Sequence, residues 1–293
     1  MRRRSLLTLP ALAGLTAVVG ACATGSQEVP TVPAPADGST TERLTYGDDP
    51  SQYAVLTRPA GTPRGVVVVV HGGFWKAEYG IEYAEPLVPS LVAAGWAALA
   101  LEYRRVGGAD GGGGGVPETL DDVAAGIDLL ATTDLGLDPG LDLATAPVVA
   151  VGHSAGGHLA TWAASRTRHD RWAGGVELTH VVSQAGVLDL AGAHAAGLGG
   201  GAVAAFLGHA PDVSDPADAA VDPLGQVPLE QPVWCVHGRD DTIVPPTQSR
   251  RYVDAALAAG AQAELVEVEG DHFTVVDPAS AAWTRTLEIL DAL

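Results

Sequence analysis

Cysteine is almost absent from this 293-residue chain: only Cys22 and Cys235 occur. Two thiols can make one disulfide at most, which excludes a scaffold held together by several bridges. Cys235 lies inside PVWCVHG and reads as a small buried thiol in a core strand. Positive charge is also scarce, with 16 basic against 35 acidic residues and a formal net charge of -19. Arg2, Arg3 and Arg4 stand ahead of any folded segment, so the remainder is more acidic still. Such a balance argues against a nucleic-acid partner and against charge-driven adhesion to an anionic membrane; its simplest use is solubility. No internal repeat is evident, and no His, Cys and Asp cluster has zinc-ligand spacing, so neither a metal nor another cofactor is expected.

The amino terminus is a different kind of sequence. Residues 1–21, MRRRSLLTLPALAGLTAVVGA, join arginines, an apolar stretch and small residues in the layout of an exported precursor. VGAC at 19–22 resembles a bacterial lipobox, which implies cleavage before Cys22, lipidation of that cysteine and attachment to a lipid bilayer of the cell envelope. Arg3 and Arg4 ahead of Ser5, Leu6 and Leu7 also hint at twin-arginine export. The alternatives are an ordinary cleaved secretory peptide and a retained anchor. Residues 22–45, rich in Thr, Ser, Pro, Gly and Ala, are expected to be a flexible tether because they bring little apolar surface to bury.

From about residue 46 to 293 the length suits one α/β domain with a large core. Strand-like runs at 66–70, 97–103, 146–152, 180–190, 231–238 and 263–270 alternate with helical patterns around 84–94, 119–130, 158–164, 246–259 and 279–292. That alternation predicts a mostly parallel sheet with helices on both faces. The stretch YGDDPSQYAVLTRP is expected to add antiparallel edge strands. Two segments interrupt the rhythm: the glycine-rich loop at 107–115 and a long insertion at about 191–223. Ligands bind outside the carboxyl ends of strands in open α/β sheets, so both could border the site.

The sharpest chemical signal is VVAVGHSAGG at 148–157. GHSAG fits G-x-S-x-G, and it lies between an apolar strand and a helix start, the context in which a strained turn lifts Ser154 clear of the sheet. A serine hydroxyl needs a base held by an acid, and in this chain order both follow later strands. His272 in EGDHFTV follows the last strand-like run and is placed for the base, whereas histidines 153, 158, 180, 194 and 209 read as elbow neighbours, packing groups or surface residues. The acid lies in HGRDDTIVPP at 237–246, where local chemistry leaves Asp240 and Asp241 both open.

With HGG at 71–73, these motifs resemble the α/β-hydrolase superfamily, specifically the esterase and lipase group with an HGG oxyanion loop. The chain is similar also to kynurenine formamidases, in HGGFW, and to the catalytic domain of prolyl oligopeptidase-like enzymes. The resemblance covers nearly everything from residue 46 onward and implies an α/β-hydrolase fold with Ser154 as nucleophile and His272 as base. The H-G-x-x-D-x-x-V-P run, matched by His237, Gly238, Asp241, Val244 and Pro245, assigns the acid to Asp241 and leaves Asp240 as a loop or helix-cap carboxylate. Backbone N–H groups of Gly73 or Phe74, with that of Ala155, would form the oxyanion hole. His71 is then a structural anchor of that loop, and Tyr103 and Arg104 are scaffold. At least one ring of Phe74 and Trp75 is expected to plug the core; Trp75, if it faces the pocket, offers a flat apolar wall for substrate. The implied activity is hydrolysis of small or medium carboxylic esters through an acyl-enzyme. Aryl formamide hydrolysis and, behind it, peptide hydrolysis are alternatives, and a binding or scaffolding protein on a hydrolase fold is the non-enzymatic one.

Overall fold

Five consecutive valines can all leave water only where a strand is covered on both faces. In the computed structural model, which describes residues 38–108, 110–132 and 141–293, Val66–Val70 is a central strand of an eight-stranded sheet, and no valine in it is more than 1% exposed. Alternate valines feed two cores: Val66, Val68 and Val70 pack with Ile127 and Leu159 on one side, Val67 and Val69 with Leu91, Trp283 and Leu290 on the other. Full burial of one such side chain contributes about 1.5–3 kcal/mol.

The strands are β1 (Thr40–Thr45), β2 (Tyr53–Arg58), β3 (Val66–Val70), β4 (Ala97–Leu101), β5 (Val148–His153), β6 (His180–Gln184), β7 (Val233–Gly238) and β8 (Ala263–Val268). Their order is β1-β2-β4-β3-β5-β6-β7-β8, with β1, β2 and β4 joined antiparallel and every pairing from β4 to β8 parallel. The helices are α1 (Val88–Ala93), α2 (Glu118–Thr132), α3 (Ala155–Ser165), α4 (Leu190–Ala195), α5 (Ala202–Leu207), α6 (Pro216–Val221), α7 (Thr247–Ala258) and α8 (Ala281–Asp291). This is the α/β-hydrolase architecture expected from the sequence. The chain leaves β3 to one side for β4 and returns on the other for β5, so a crevice opens at the carboxyl ends of β3 and β5.

Two boundaries differ from expectation. The tether expected through residue 45 ends earlier, because Thr40–Thr45 is already β1, paired along its length with β2. Only Leu44 of that strand is buried, so its sequence carries no alternation to reveal it. The run 180–190 is strand only to Gln184, after which Ala185 turns at φ 47 and the chain wraps the elbow. The expected export signal at 1–21 and lipidation site at Cys22 lie outside the described residues.

Candidate active site

Ser154 sits between β5 and α3 at φ 57, ψ -119, a conformation costly for any residue with a Cβ. Backbone contacts hold it: its N–H donates to the Gln184 carbonyl (2.8 Å), and its own carbonyl accepts from Val187 and His158 (3.2 Å each). The flanking glycines are required by close approach. A Cβ on Gly152 would lie 2.0 Å from the Gly156 oxygen, and one on Gly156 would lie 2.1 Å from the Val70 oxygen. Ala155 opens α3, so its N–H is one of the first-turn donors that has no intrahelical acceptor.

The HGGFW loop meets the elbow because β3 and β5 are neighbours in register, Val70 opposite Gly152. A Cβ on Gly72 would stand 3.0 Å from Ser154 Cβ. The backbone then runs through three successive positive φ values, 110 at Gly73, 51 at Phe74 and 54 at Trp75. His71 anchors the loop from below: it is buried, stacked on Tyr103 at 4.3 Å, and its Nε2 lies 3.1 Å from Glu102. Glu102 pairs with Arg105 and accepts the N–H groups of Ile81 (2.9 Å) and Tyr103 (2.8 Å). Tyr103 donates its hydroxyl to the His71 carbonyl (2.7 Å), and Arg104 grips Asp122 through two bonds of 2.8 and 2.7 Å. His71, Tyr103 and Arg104 thus make the structural contacts expected of them, and Glu102, Arg105 and Asp122 complete the network.

At the ends of β7 and β8 the two open carboxylates separate. Asp241 is buried and its Oδ2 accepts from His272 Nδ1 at 2.6 Å; its Oδ1 accepts the N–H groups of Ile243 and Val244 at 2.9 Å. Asp240 is exposed, and helix α7 is capped by Pro246, so Asp240 is a loop carboxylate and not a helix cap. Burial works to raise the Asp241 carboxyl, but hydrogen bonds from His237 and His272 outweigh it and hold it well below the usual carboxylate range. With its Nδ1–H committed to Asp241, His272 keeps a lone pair on Nε2, the requirement for a base.

One sequence assignment is corrected. Trp75 is fully buried, stacked on Phe206 at 4.5 Å and set edge-on to His158 at 5.1 Å, so it plugs the core and cannot wall a substrate pocket. Phe74 is half-buried and packs on the insertion, where a Cβ on Gly199 would lie 2.6 Å from its ring. Two positioning histidines escaped the sequence reading. His237 Nε2 lies 3.2 Å from Asp241 Oδ2 and 2.8 Å from the Val244 carbonyl, a contact foreshadowed by the four-residue spacing of the H-G-x-x-D run. His153, inside GHSAG, donates from Nε2 to the His272 carbonyl at 2.9 Å, with ring centres 4.6 Å apart. Burial, and then the nearby His272 imidazole, lowers its pKa to about 3, so it is a neutral strut between the elbow and the His272 loop.

The profile of the BD-FAE family matches residues 55–255, more than half of the chain. The chain belongs to the BD-FAE family. The family match takes in the HGGFW loop, Ser154 and Asp241 and ends before His272. It reaches an esterase and lipase type of α/β-hydrolase and not the narrower HGG-loop or formamidase groups. A truncated carbohydrate esterase from gut microbiota is 21% identical at TM-score 0.72, over 88% of this chain and 98% of that one. Esterase B from Lactobacillus Rhamnosis is 22% identical at TM-score 0.71, over 87% and 85%. Thermogutta terrifontis esterase 2, phosphoramylated by tabun, is 25% identical at TM-score 0.65, over 87% and 93%. These likenesses agree with the observed fold. No curated protein sequence matches the chain.

Proposed function

We propose that this protein is a serine esterase that cleaves small or medium carboxylic esters through an acyl-enzyme. The observation that carries the reading is the buried Asp241–His272 hydrogen bond, joined through His153 to an elbow that strains Ser154 at positive φ. Ser154 Oγ attacks the acyl carbon while its proton passes to His272 Nε2; the acyl–alcohol bond breaks and the proton leaves with the alcohol oxygen. Water then repeats the sequence on the acyl-enzyme. The N–H groups of Ala155 and of Gly73 or Phe74 stabilise the negative oxygen of each tetrahedral intermediate.

An ester is preferred over an aryl formamide because the relatives that share the fold, the carbohydrate esterase, esterase B and esterase 2, are esterases. The relative phosphoramylated by tabun supports a nucleophile open to organophosphorus attack. The test is fluorophosphonate labelling of the native protein and of Ser154→Ala, with short-acyl ester turnover measured in parallel. Native protein should label and turn over, and Ser154→Ala should do neither, losing at least about 10⁴-fold in kcat/KM. Equal labelling of both would remove Ser154 from its role.

A further inference from the structure

Large exposed apolar side chains are few among the described residues, and Phe273, 46% exposed, is one that belongs to neither core. It follows His272 directly. Its ring stands edge-on to the His272 imidazole, 5.3 Å between centres at 79°, and 6.1 Å from the ring of His153. Its N–H is tied to Asp271 Oδ1 at 3.0 Å, which fixes the turn that carries the ring. A substrate group laid on this ring would take its apolar face out of water, beside the imidazole.

The occupant follows from the esterase reading, on which this inference rests. When the acyl–alcohol bond breaks, His272 delivers its proton to the alcohol oxygen, so the alcohol must lie against the imidazole at that moment. Asp241 occupies the Nδ1 side of that ring and His153 packs at 4.6 Å, while Phe273 is its solvent-facing apolar neighbour. We propose that Phe273 is a specificity-determining residue that receives the alcohol half of the ester, and that this alcohol presents a flat apolar face, as an aryl or arylmethyl group does. The acyl half faces the oxyanion loop and does not use Phe273.

The experiment compares the native enzyme with Phe273→Ala on acetates of two primary alcohols, ethyl and naphthylmethyl, and on ethyl esters of lengthening acyl chains. Phe273→Ala should lower kcat/KM about tenfold more for the naphthylmethyl ester than for ethyl acetate, the size of one lost stacking contact. The native-to-variant ratio should stay constant along the acyl series. Single-turnover kinetics should place the loss in acylation, since acetyl-enzyme breakdown occurs after the alcohol has gone. Phe273→Trp should restore the selectivity, and Leu257→Ala, which removes another exposed apolar side chain on α7, should keep the native ratio. A ratio equal for the two alcohols, or one that tracks acyl length, overturns the assignment. Failure of every ester to show Ser154-dependent turnover overturns the esterase reading itself, and the two failures are distinct.

Discussion

Three turns at the carboxyl edge of the sheet carry non-glycine residues at positive φ, and the two that meet at the candidate site, after β3 and after β5, are held there by different means. Ser154 is pinned through its backbone, by Gln184, Val187 and His158. Phe74 and Trp75 are pinned by a side chain as well as the backbone: the Lys76 N–H closes the turn on the Gly73 carbonyl (3.0 Å), the Val106 N–H donates to the Trp75 carbonyl (2.7 Å), and the Trp75 indole is clamped by Phe206 and His158. Strain of roughly 1–3 kcal/mol per residue is stored in each turn. The elbow should therefore tolerate loss of its side chains and fail only chemically, whereas the HGGFW loop should fail structurally when its ring is removed.

The largest expected effect lies beside the elbow, at the Asp241–His272 pair. Asp241→Asn removes the acceptor that fixes the His272 tautomer and should lower kcat by about 10⁴-fold, the size of the matching change in a serine protease, with the fold retained. Asp240→Asn changes an exposed loop carboxylate and should stay within about twofold, as expected for a surface change away from the chemistry. Steady-state kinetics on both variants, with circular dichroism to show that each is folded, makes the comparison. A larger loss from the Asp240 change would place the acid one residue too late.

The side-chain-pinned turn breaks differently. Trp75→Ala should cost about 3–5 kcal/mol of stability through the cavity it leaves, while Trp75→Phe, which keeps a ring against Phe206, should cost much less. Urea unfolding gives both numbers. If Trp75→Ala unfolded like the native protein but altered the acyl-chain profile, the ring would be a pocket wall after all.

That contrast also sets how much could be read from the sequence. The fold was legible because its parallel strands are continuous apolar runs between helical patterns. The positions of Ser154 and His272 were legible because an elbow and a strand-end histidine depend on chain order. Trp75 was not, since a ring beside a glycine pair has the same sequence whether it turns inward or outward; packing on Phe206, 131 residues away in the chain, settles it. His153 was missed because its partner is the carbonyl of His272, and a backbone acceptor has no sequence signature.

The smallest expected effect is on the pH dependence of stability, since each region holds a neutral histidine. Burial lowers His158, under Trp75, to about 4, and His153, on the elbow, to about 3. An unfolded histidine titrates near 6.5, so below that pH the unfolded chain binds protons that the native state refuses, and stability falls as pH falls toward the folded values. Each such group contributes a slope of up to about 1.4 kcal/mol per pH unit in that window. Asp222, which burial raises to about 7, acts in the opposite sense over an overlapping range, so the informative quantity is the difference between native and variant slopes. His158→Gln, whose amide could still reach the Val221 carbonyl, should flatten the slope by nearly the full amount. His153→Gln should flatten it by a similar amount, since both folded values lie well below that window, and should also slow ester turnover because the strut to the His272 carbonyl is weakened. Urea midpoints from about pH 7 to about pH 5 measure both slopes within the window set by the unfolded histidine. Slopes unchanged in both variants would mean that neither ring is kept neutral by the fold, and a loss of turnover in His153→Gln that His158→Gln does not share would separate the strut from the clamp.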